Sequence, residues 1–212
     1  MAGNQVGLNG IEAAKCLQSI ETDYTGLMNY LQNGYQGVIS SLGQGWFGQD
    51  AVHFGHQNFE PALLEIGSEI NHVVQSVHDT ITQNATNFDN HHQTHVFHDP
   101  GHHQVNPQWD LSMIKPDENG YIGILGNHLS HAASLTQPIC KNISSSLDAI
   151  KAAAARSGFY GEGQQEKLTQ SITKIKQSIE QINQEMTKAI KTKLENVEQD
   201  EKSLAQKNAS TF

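Results

Sequence analysis

Apolar side chains recur every three or four positions between Ile11 and Leu42. This spacing places them on one face of an α-helix, because a helical turn contains about 3.6 residues. Gly34 and Gly37 weaken the pattern locally, since glycine has a low helix propensity. The pattern predicts a first long amphipathic helix, with an apolar stripe formed by Ile11, Ala14, Leu17, Ile20, Tyr24, Leu27, Leu31, Tyr35, Val38 and Leu42.

A second apolar stripe with the same spacing follows a glycine-rich stretch at residues 43–50. It predicts a second helix that ends near residue 88. Proline lacks an amide hydrogen, so Pro61 predicts either a kink near residues 57–61 or a new helix capped by Asn58. The stripe consists of Ala51, Phe54, Phe59, Leu63, Ile66, Ile70, Val73, Val77, Ile81 and Phe88.

Residues 89–128 show no helical periodicity and hold three of the five prolines. We interpret this segment as an irregular insertion between helices. Within it, the apolar runs LSMI (111–114) and YIGIL (121–125) flank the turn-forming sequence KPDENG, which predicts a short β-hairpin. Trp109 is predicted to anchor the insertion to the helices.

Two further helices are predicted in the second half of the chain. The third begins near Thr136, with Pro138 in its first turn, and ends at Ser157 and Gly158. The fourth shows a heptad seam, since apolar residues alternate steps of four and three. This seam consists of Leu168, Ile172, Ile175, Ile179, Ile182, Met186 and Ala189, and continues in a shifted register through Ile190, Leu194, Val197 and Leu204.

The two halves share one plan, in which an aromatic-x-Gly bend joins two helices. The bends are WFG at 46–48 and FYG at 159–161. Glycine adopts backbone angles that other residues resist, and large rings can fold back to cover the open end of a helix pair. The residues predicted to form the bends and bind partners are Trp46, Phe47, Gly48, Phe54, Phe159, Tyr160 and Gly161.

These patterns predict an all-α fold, an elongated four-helix bundle made of two helical hairpins. Each hairpin has a stripe that it cannot cover alone, so the two are expected to pack on each other. The predicted domains are a first hairpin (1–90), a His-rich insertion (91–135) and a second hairpin (136–212). Only 36% of the residues are hydrophobic, which is typical of a narrow buried seam.

Charge is distributed unevenly along the chain, whose net charge is −9. Up to Asp110 there is one basic residue against eleven acidic ones, whereas the remainder has twelve basic and eleven acidic residues. The strongest field is therefore negative, which argues against nucleic acid as a partner. The chain has no run of about 18 apolar residues, so we predict no membrane span. It has no signal-peptide pattern at its start, so we expect any export to follow a signal-peptide-independent route.

Six of the twelve histidines lie within thirteen residues. Pairs three positions apart can place two imidazoles on one metal ion, so zinc or nickel binding is a reasonable hypothesis. The alternative is a solvated polar loop, because no cysteine joins the cluster. The candidate ligands are His91, His92, His95, His98, His102 and His103.

Other reactive groups give weaker signals. Cys16 and Cys140 lie on or beside apolar stripes and are predicted to be small buried thiols that do not form a disulfide. The chain contains neither a GxSxG elbow nor a glycine-rich phosphate loop ending in Gly-Lys-Ser/Thr. We therefore predict that the protein is not an enzyme.

The Trp46-x-Gly48 bend between two long amphipathic helices resembles the WxG hairpin family of type VII secretion substrates. The resemblance covers residues 5–90 and, more weakly, 136–207, where Phe159 replaces the tryptophan. Members of that family are usually about 100 residues long and pair as antiparallel hairpins, so this chain is similar to two of them fused. One feature departs from the family, because no tyrosine here is followed four positions later by an acidic residue, the usual export signal. A partner could supply that signal, or the chain could be closer to the LxG type of secreted protein.

The resemblance implies a non-enzymatic secretion substrate, effector or targeting partner with a role in virulence. Such a protein would act through a coiled-coil-like helical bundle that contacts the secretion machinery, a toxin or another helical hairpin. The expected location is extracellular or cell-surface-associated. The alternative is a metal- or pH-responsive binding protein that uses the His-rich insertion, since ten of the twelve histidines lie in the acidic part of the chain. A pore-forming protein or adhesin fragment is disfavoured, because no apolar hairpin is long enough to enter a membrane.

Overall fold

The protein is described from a computed structural model that covers residues 8–116 and 123–209. Four long helices dominate it, and a short helix and a π-helical turn precede the second of them. In chain order the elements are α1 (Gly10–Gly45), β1 (Trp46–Phe47), α2 (Gln49–His53), the π turn (Phe54–Phe59), α3 (Glu60–His92), β2 (Gly123–Ile124), α4 (Gly126–Arg156) and α5 (Glu162–Ala209).

The chain forms two compact units, each of which contains segments of all four long helices. The first unit combines residues from the segments 1–31, 65–107 and 140–178, and the second combines those from 32–64, 108–139 and 179–212. Neither unit is therefore one consecutive hairpin. The four long helices confirm the predicted all-α helical bundle.

The core of the first unit follows the predicted stripes. On α1, Leu17, Tyr24 and Leu27 are fully buried, whereas Ile11 is exposed and Ala13 is buried in place of Ala14. The contributions of the other long helices include Ile66, Ile70, Val74, Val77, Ile81, Ile143, Leu147, Ile150, Leu168, Ile172 and Ile175. On α3, Val74 is fully buried and Val73 is not, a one-position error in the predicted stripe.

The second unit has its own core, which includes a buried polar contact. The Tyr35 hydroxyl donates a hydrogen bond to Asn183 Oδ1 at 3.1 Å, and both residues are buried. This bond satisfies two polar groups that would otherwise destabilise an apolar interior. The buried apolar side chains of this unit include Val38, Ile39, Leu42, Phe59, Leu63, Leu129, Ala132, Ile139, Ile179, Ile182, Met186 and Ile190.

Helix α4 begins at Gly126, ten residues before the predicted start near Thr136, and Pro138 lies inside it. The earlier turns are stabilised by burial, since Leu129 and Ala132 are completely covered and continue the stripe toward Ile139. A proline inside a helix removes one backbone hydrogen bond and usually bends the helix. Here tertiary packing outweighs that cost, so the proline does not mark the boundary.

The helical path from Gln49 to His92 is continuous. The predicted irregularity near residues 57–61 takes the form of the π turn, Phe54–Phe59, which ends directly before the first turn of α3. Asn58 lies inside this turn and caps no new helix. Pro61 is the second residue of α3, so its missing amide hydrogen falls inside the continuous path, directly after the π turn.

Strand β2 pairs with the Trp46 bend and not with residues 111–114, so the predicted hairpin has the wrong partner. The pairing is antiparallel, with Trp46 opposite Ile124 and Phe47 opposite Gly123. Residues 111–114 form a turn closed by the Ile114 amide and the Leu111 carbonyl. The central residues of the predicted hairpin, 117–122, lie outside the described residues.

Candidate functional site

The Trp46 bend is the best-formed candidate site, and glycine is essential to its backbone. Helix α1 ends at Gly45, the chain extends through β1, and Gly48 then takes a φ of 144°, which side chains disfavour. Leaving the helix exposes backbone polar groups that need partners. The Leu125 amide donates to the Gly45 carbonyl at 2.8 Å, and the Gly48 amide donates to the Lys115 carbonyl at 3.3 Å.

Aromatic rings cover this bend as predicted. The Trp46 and Phe54 rings stack with centroids 5.4 Å apart, and Phe54 stacks on Phe59 at 5.7 Å. Phe59 in turn meets Tyr35 edge-on at 5.8 Å. Only 5% of Trp46 is accessible, so this ring covers the bend and offers little surface to a partner. Phe47 is also buried. Within the stack, Trp46 and Phe59 are buried and Phe54 is half-buried, so Phe54 is its accessible ring.

An ion pair joins α2 to α5 beside these rings. Lys193 Nζ lies 2.7 Å from Asp50 Oδ2. Partial burial raises the pKa of the Asp50 carboxyl, but Lys193, the Trp46 indole and the Ala51 amide together outweigh it, so the pKa is lowered overall. The indole nitrogen of Trp46 is buried near this carboxylate without the geometry of a hydrogen bond to any described residue.

A cavity of about 460 Å³ opens beside the bend, between the α2 and π-turn segment and α5. Two aromatic residues, Trp46 and Phe54, line it together with charged, amide and small side chains. Volumes of this size are typical of binding sites for small molecules and for anchoring side chains. The lining residues are Trp46, Asp50, Phe54, Asn58, Glu185, Lys188, Ala189, Thr192, Lys193 and Asn196.

The second bend differs from the first in its backbone. Phe159 and Tyr160 are buried, and Phe159 packs edge-on against Phe88 with centroids 5.5 Å apart. The glycine with positive φ is Gly158, at 73°, which precedes the rings and ends α4 in a common C-terminal geometry. Gly161, the glycine that the repeat predicts to be equivalent to Gly48, accepts the first amide hydrogen bonds of α5.

The six candidate metal ligands do not converge. His91 and His92 lie in the last turn of α3, and His95 and His98 are exposed. The His102 side chain is 2% exposed, whereas that of the adjacent His103 is 85% exposed. Within residues 8–116 and 123–209, no group of three or more His, Cys, Asp or Glu side chains has an arrangement that could hold a metal ion. Zinc or nickel binding therefore stays a prediction without a ligand set.

The His-rich segment is held against the helices, which differs from a solvated loop. We call residues 93–116 the strap. In the first unit, His102 Nδ1 lies 2.7 Å from Glu21 Oε2, and the Val105 amide donates to the Tyr24 hydroxyl at 2.6 Å. Tyr24 donates in turn to Asn71 Oδ1, whose amide group donates to the Val105 carbonyl. These partners could not be predicted from sequence patterns, because the contacts join residues 34 to 81 positions apart.

In the second unit, the strap contacts α1 through Trp109, which confirms the predicted anchor. The Trp109 indole donates to the Gln32 carbonyl at 3.1 Å. The Gln36 side chain donates to the Asp110 carbonyl and accepts from the Asp110 amide. This paired contact uses both functional groups of the glutamine amide and fixes the register of the strap on α1.

Asp89 organises the start of the strap. Its carboxylate accepts hydrogen bonds from the Thr94 hydroxyl and the Phe97 amide, each at 2.6 Å. The Thr94 bond and then the Phe97 bond lower the pKa of this carboxyl. Between Asp89 and Phe97, Gln93 and His95 adopt φ values of 54° and 52°, which are uncommon for residues with side chains. The buried carboxylate thus holds a strained turn at the end of α3.

Comparison of the chain with protein-family models, curated proteins and solved structures finds no match. Among the described residues, no helix is both long and apolar enough to cross a membrane.

Proposed function

We propose that this chain is a non-enzymatic protein of the type VII secretion pathway, acting as an exported substrate, an effector or a targeting partner for a larger toxin. The observation that carries the proposal is the Trp46 bend. A tryptophan, a stacked aromatic pair and a glycine with positive φ occur together where two long helices meet. A buried ring and a required glycine give a physical reason for the WxG pattern at this position.

In each unit, side chains from all four long helices are buried. The apolar stripes through which WxG proteins pair are therefore covered within this one chain. A protein partner must then bind solvent-facing side chains, and the cavity beside Trp46 offers the half-buried Phe54 ring among charged residues. We propose this cavity as part of the recognition surface.

Export is tested by expressing the chain in a bacterium with an active type VII system and in the same strain without the membrane ATPase of that system. We expect the protein in the culture medium only when the ATPase is present. Equal amounts in the medium of both strains would contradict the proposal. Lysis is monitored with a cytoplasmic protein.

The role of the bend is tested with Trp46→Ala, with Trp46→Phe to preserve an aromatic ring, and with Trp109→Phe as a control on the strap. Removing a ring that is 5% exposed should lower the free energy of unfolding by about 3–5 kcal/mol. We expect Trp46→Ala to stay in the cells and Trp109→Phe to be exported normally. Circular dichroism shows whether each variant is folded, and full export of a folded Trp46→Ala variant would remove the bend from the function.

A further inference from the structure

The strap begins with a strained turn that the secretion proposal does not use. Gln93 and His95 have φ values of 54° and 52°, in the left-handed region that residues with a side chain disfavour. Strained backbone of this kind is concentrated at ligand-binding and other functional sites, where surrounding contacts hold it in place. The imidazole of His95 is therefore a candidate ligand-binding group.

A cavity of about 230 Å³ lies beside this turn, within the first unit. His95 and His98 both line it, so two imidazoles three positions apart share one space. A water molecule takes up about 30 Å³ in the liquid, so the cavity has room for a metal ion with several bound waters. The lining residues are Thr86, Asp89, Asn90, His95, Phe97 and His98.

The surroundings of the cavity favour a cation. Asp89 contributes a carboxylate, and His95 lies close enough for its charge to act on that carboxylate. The cavity also lies beside the last turns of α3, at the negative end of the helix dipole. Imidazole nitrogens suit nickel, zinc and copper ions, whereas magnesium prefers oxygen ligands. These groups together fit a divalent ion that prefers imidazole.

The site has two protein nitrogens and no complete cage. In the described part of the chain, no third His, Cys, Asp or Glu side chain joins the two imidazoles in an arrangement that could hold a metal ion. The Asp89 oxygens already accept hydrogen bonds from Thr94 and Phe97, so Asp89 acts here through its charge. The amide oxygen of Asn90 and water are the remaining ligands, which nickel accepts alongside imidazole.

We propose that His95 and His98 form a two-histidine site for a divalent transition-metal ion of the nickel type, beside the carboxylate of Asp89. A bound ion would hold the start of the strap against the end of α3. Metal binding by the purified protein does not depend on secretion. The export experiment and the metal experiment can therefore fail separately.

The test is calorimetric titration of nickel into the untagged protein at about pH 7.5, where free imidazole is mainly neutral and can bind metal. We expect one ion to bind with micromolar affinity and magnesium to give no comparable heat. The double variant His95→Asn with His98→Gln should bind nickel at least about tenfold more weakly, because both nitrogen ligands are removed. Asparagine tolerates positive φ, so this variant can retain the turn, and circular dichroism checks its fold.

Two control variants remove other histidine pairs. His128→Gln with His131→Gln removes a pair of the same spacing from α4, and His91→Gln with His92→Gln removes the neighbouring pair from the last turn of α3. Both controls should keep the nickel affinity of the wild type. An equal loss of affinity in either control, no binding by the wild type, or equal binding of magnesium would each overturn the proposal.

Nuclear magnetic resonance locates the ion independently of the heat. Nickel with nitrogen, oxygen and water ligands is paramagnetic and broadens the signals of nearby nuclei. At less than one equivalent of nickel, the amide signals of residues 95–98 should broaden before those around His128 and His131. The selective broadening should be absent from the variant that lacks His95 and His98. Broadening that begins elsewhere, or that persists in this variant, would contradict the assignment.

Discussion

Two glycines on α1 should respond oppositely to alanine. A Cβ atom at Gly26 would meet no atom within 4 Å, whereas one at Gly43 would lie 2.5 Å from the Met113 carbonyl oxygen and 2.7 Å from its carbon. The atoms at Gly43 belong to the backbone of the strap, which cannot rotate aside as a side chain can. Gly26→Ala and Gly43→Ala thus make the same chemical change in one helix and differ in their surroundings.

The magnitudes follow from helix propensity and packing. Alanine is favoured over glycine inside a helix by about 1 kcal/mol, partly because it restricts the unfolded chain. Gly26→Ala should therefore raise the free energy of unfolding by roughly 0.5–1 kcal/mol. At Gly43 an overpacking cost of about 1–3 kcal/mol opposes this gain. We expect Gly43→Ala to be roughly 1–3 kcal/mol less stable than Gly26→Ala.

Urea denaturation followed by circular dichroism measures these free energies. For a chain of about this length, each kcal/mol corresponds to a shift of about 2–4 °C in Tm, so thermal unfolding gives a second measurement. Amide hydrogen exchange adds a local readout, because the Ile114 amide donates to Leu111 and the Gly48 amide donates to Lys115. Both amides should exchange faster in Gly43→Ala and remain unchanged in Gly26→Ala.

Equal stabilisation by the two substitutions would refute this reasoning. It would mean that residue 113 of the strap does not pack on the end of α1 in solution. A loss of stability in Gly43→Ala without faster exchange at Gly48 and Ile114 would also contradict it, since the cost would then arise away from the strap.

Two further predictions concern polar contacts. Tyr24→Phe should lower the free energy of unfolding by about 1–3 kcal/mol, because it leaves Asn71 and the Val105 amide without their shared partner. Urea denaturation measures this loss. An unchanged denaturation midpoint would show that the Tyr24 hydroxyl does not hold the strap. Asp50→Asn should cost less than about 1 kcal/mol near pH 7, since the ion pair with Lys193 is partly exposed. Because the pKa of Asp50 in the folded protein lies below 3.8, the difference in unfolding free energy between variant and wild type should be present above about pH 4. It should disappear as the pH falls through the folded pKa. A difference that persists at about pH 2 would show that it does not come from the ionised Asp50 carboxylate.

The amino-acid sequence by itself determined the helices and the position of the first bend. Helical periodicity is a local property, so the stripe from Leu17 to Leu42 could be identified without knowledge of its partners. The Trp46-x-Gly48 pattern was equally local, since a glycine is needed for the positive φ at residue 48 and nearby aromatic rings can cover the bend. The one-position error at Val73 shows the limit of this approach, because neighbouring valines fit a helical stripe almost equally well.

Only the tertiary structure decided which distant segments meet. The partner of β2 is 76 to 78 positions away at the Trp46 bend, and Glu21 meets His102 across 81 positions. Spacing along the chain could not predict these contacts, because the polar groups of an irregular segment can be satisfied by any nearby helix. The histidines illustrate the consequence. Six of them lie within thirteen residues, yet the fold buries the side chain of His102 and exposes that of His103, since neighbouring residues of an extended strap point to opposite sides.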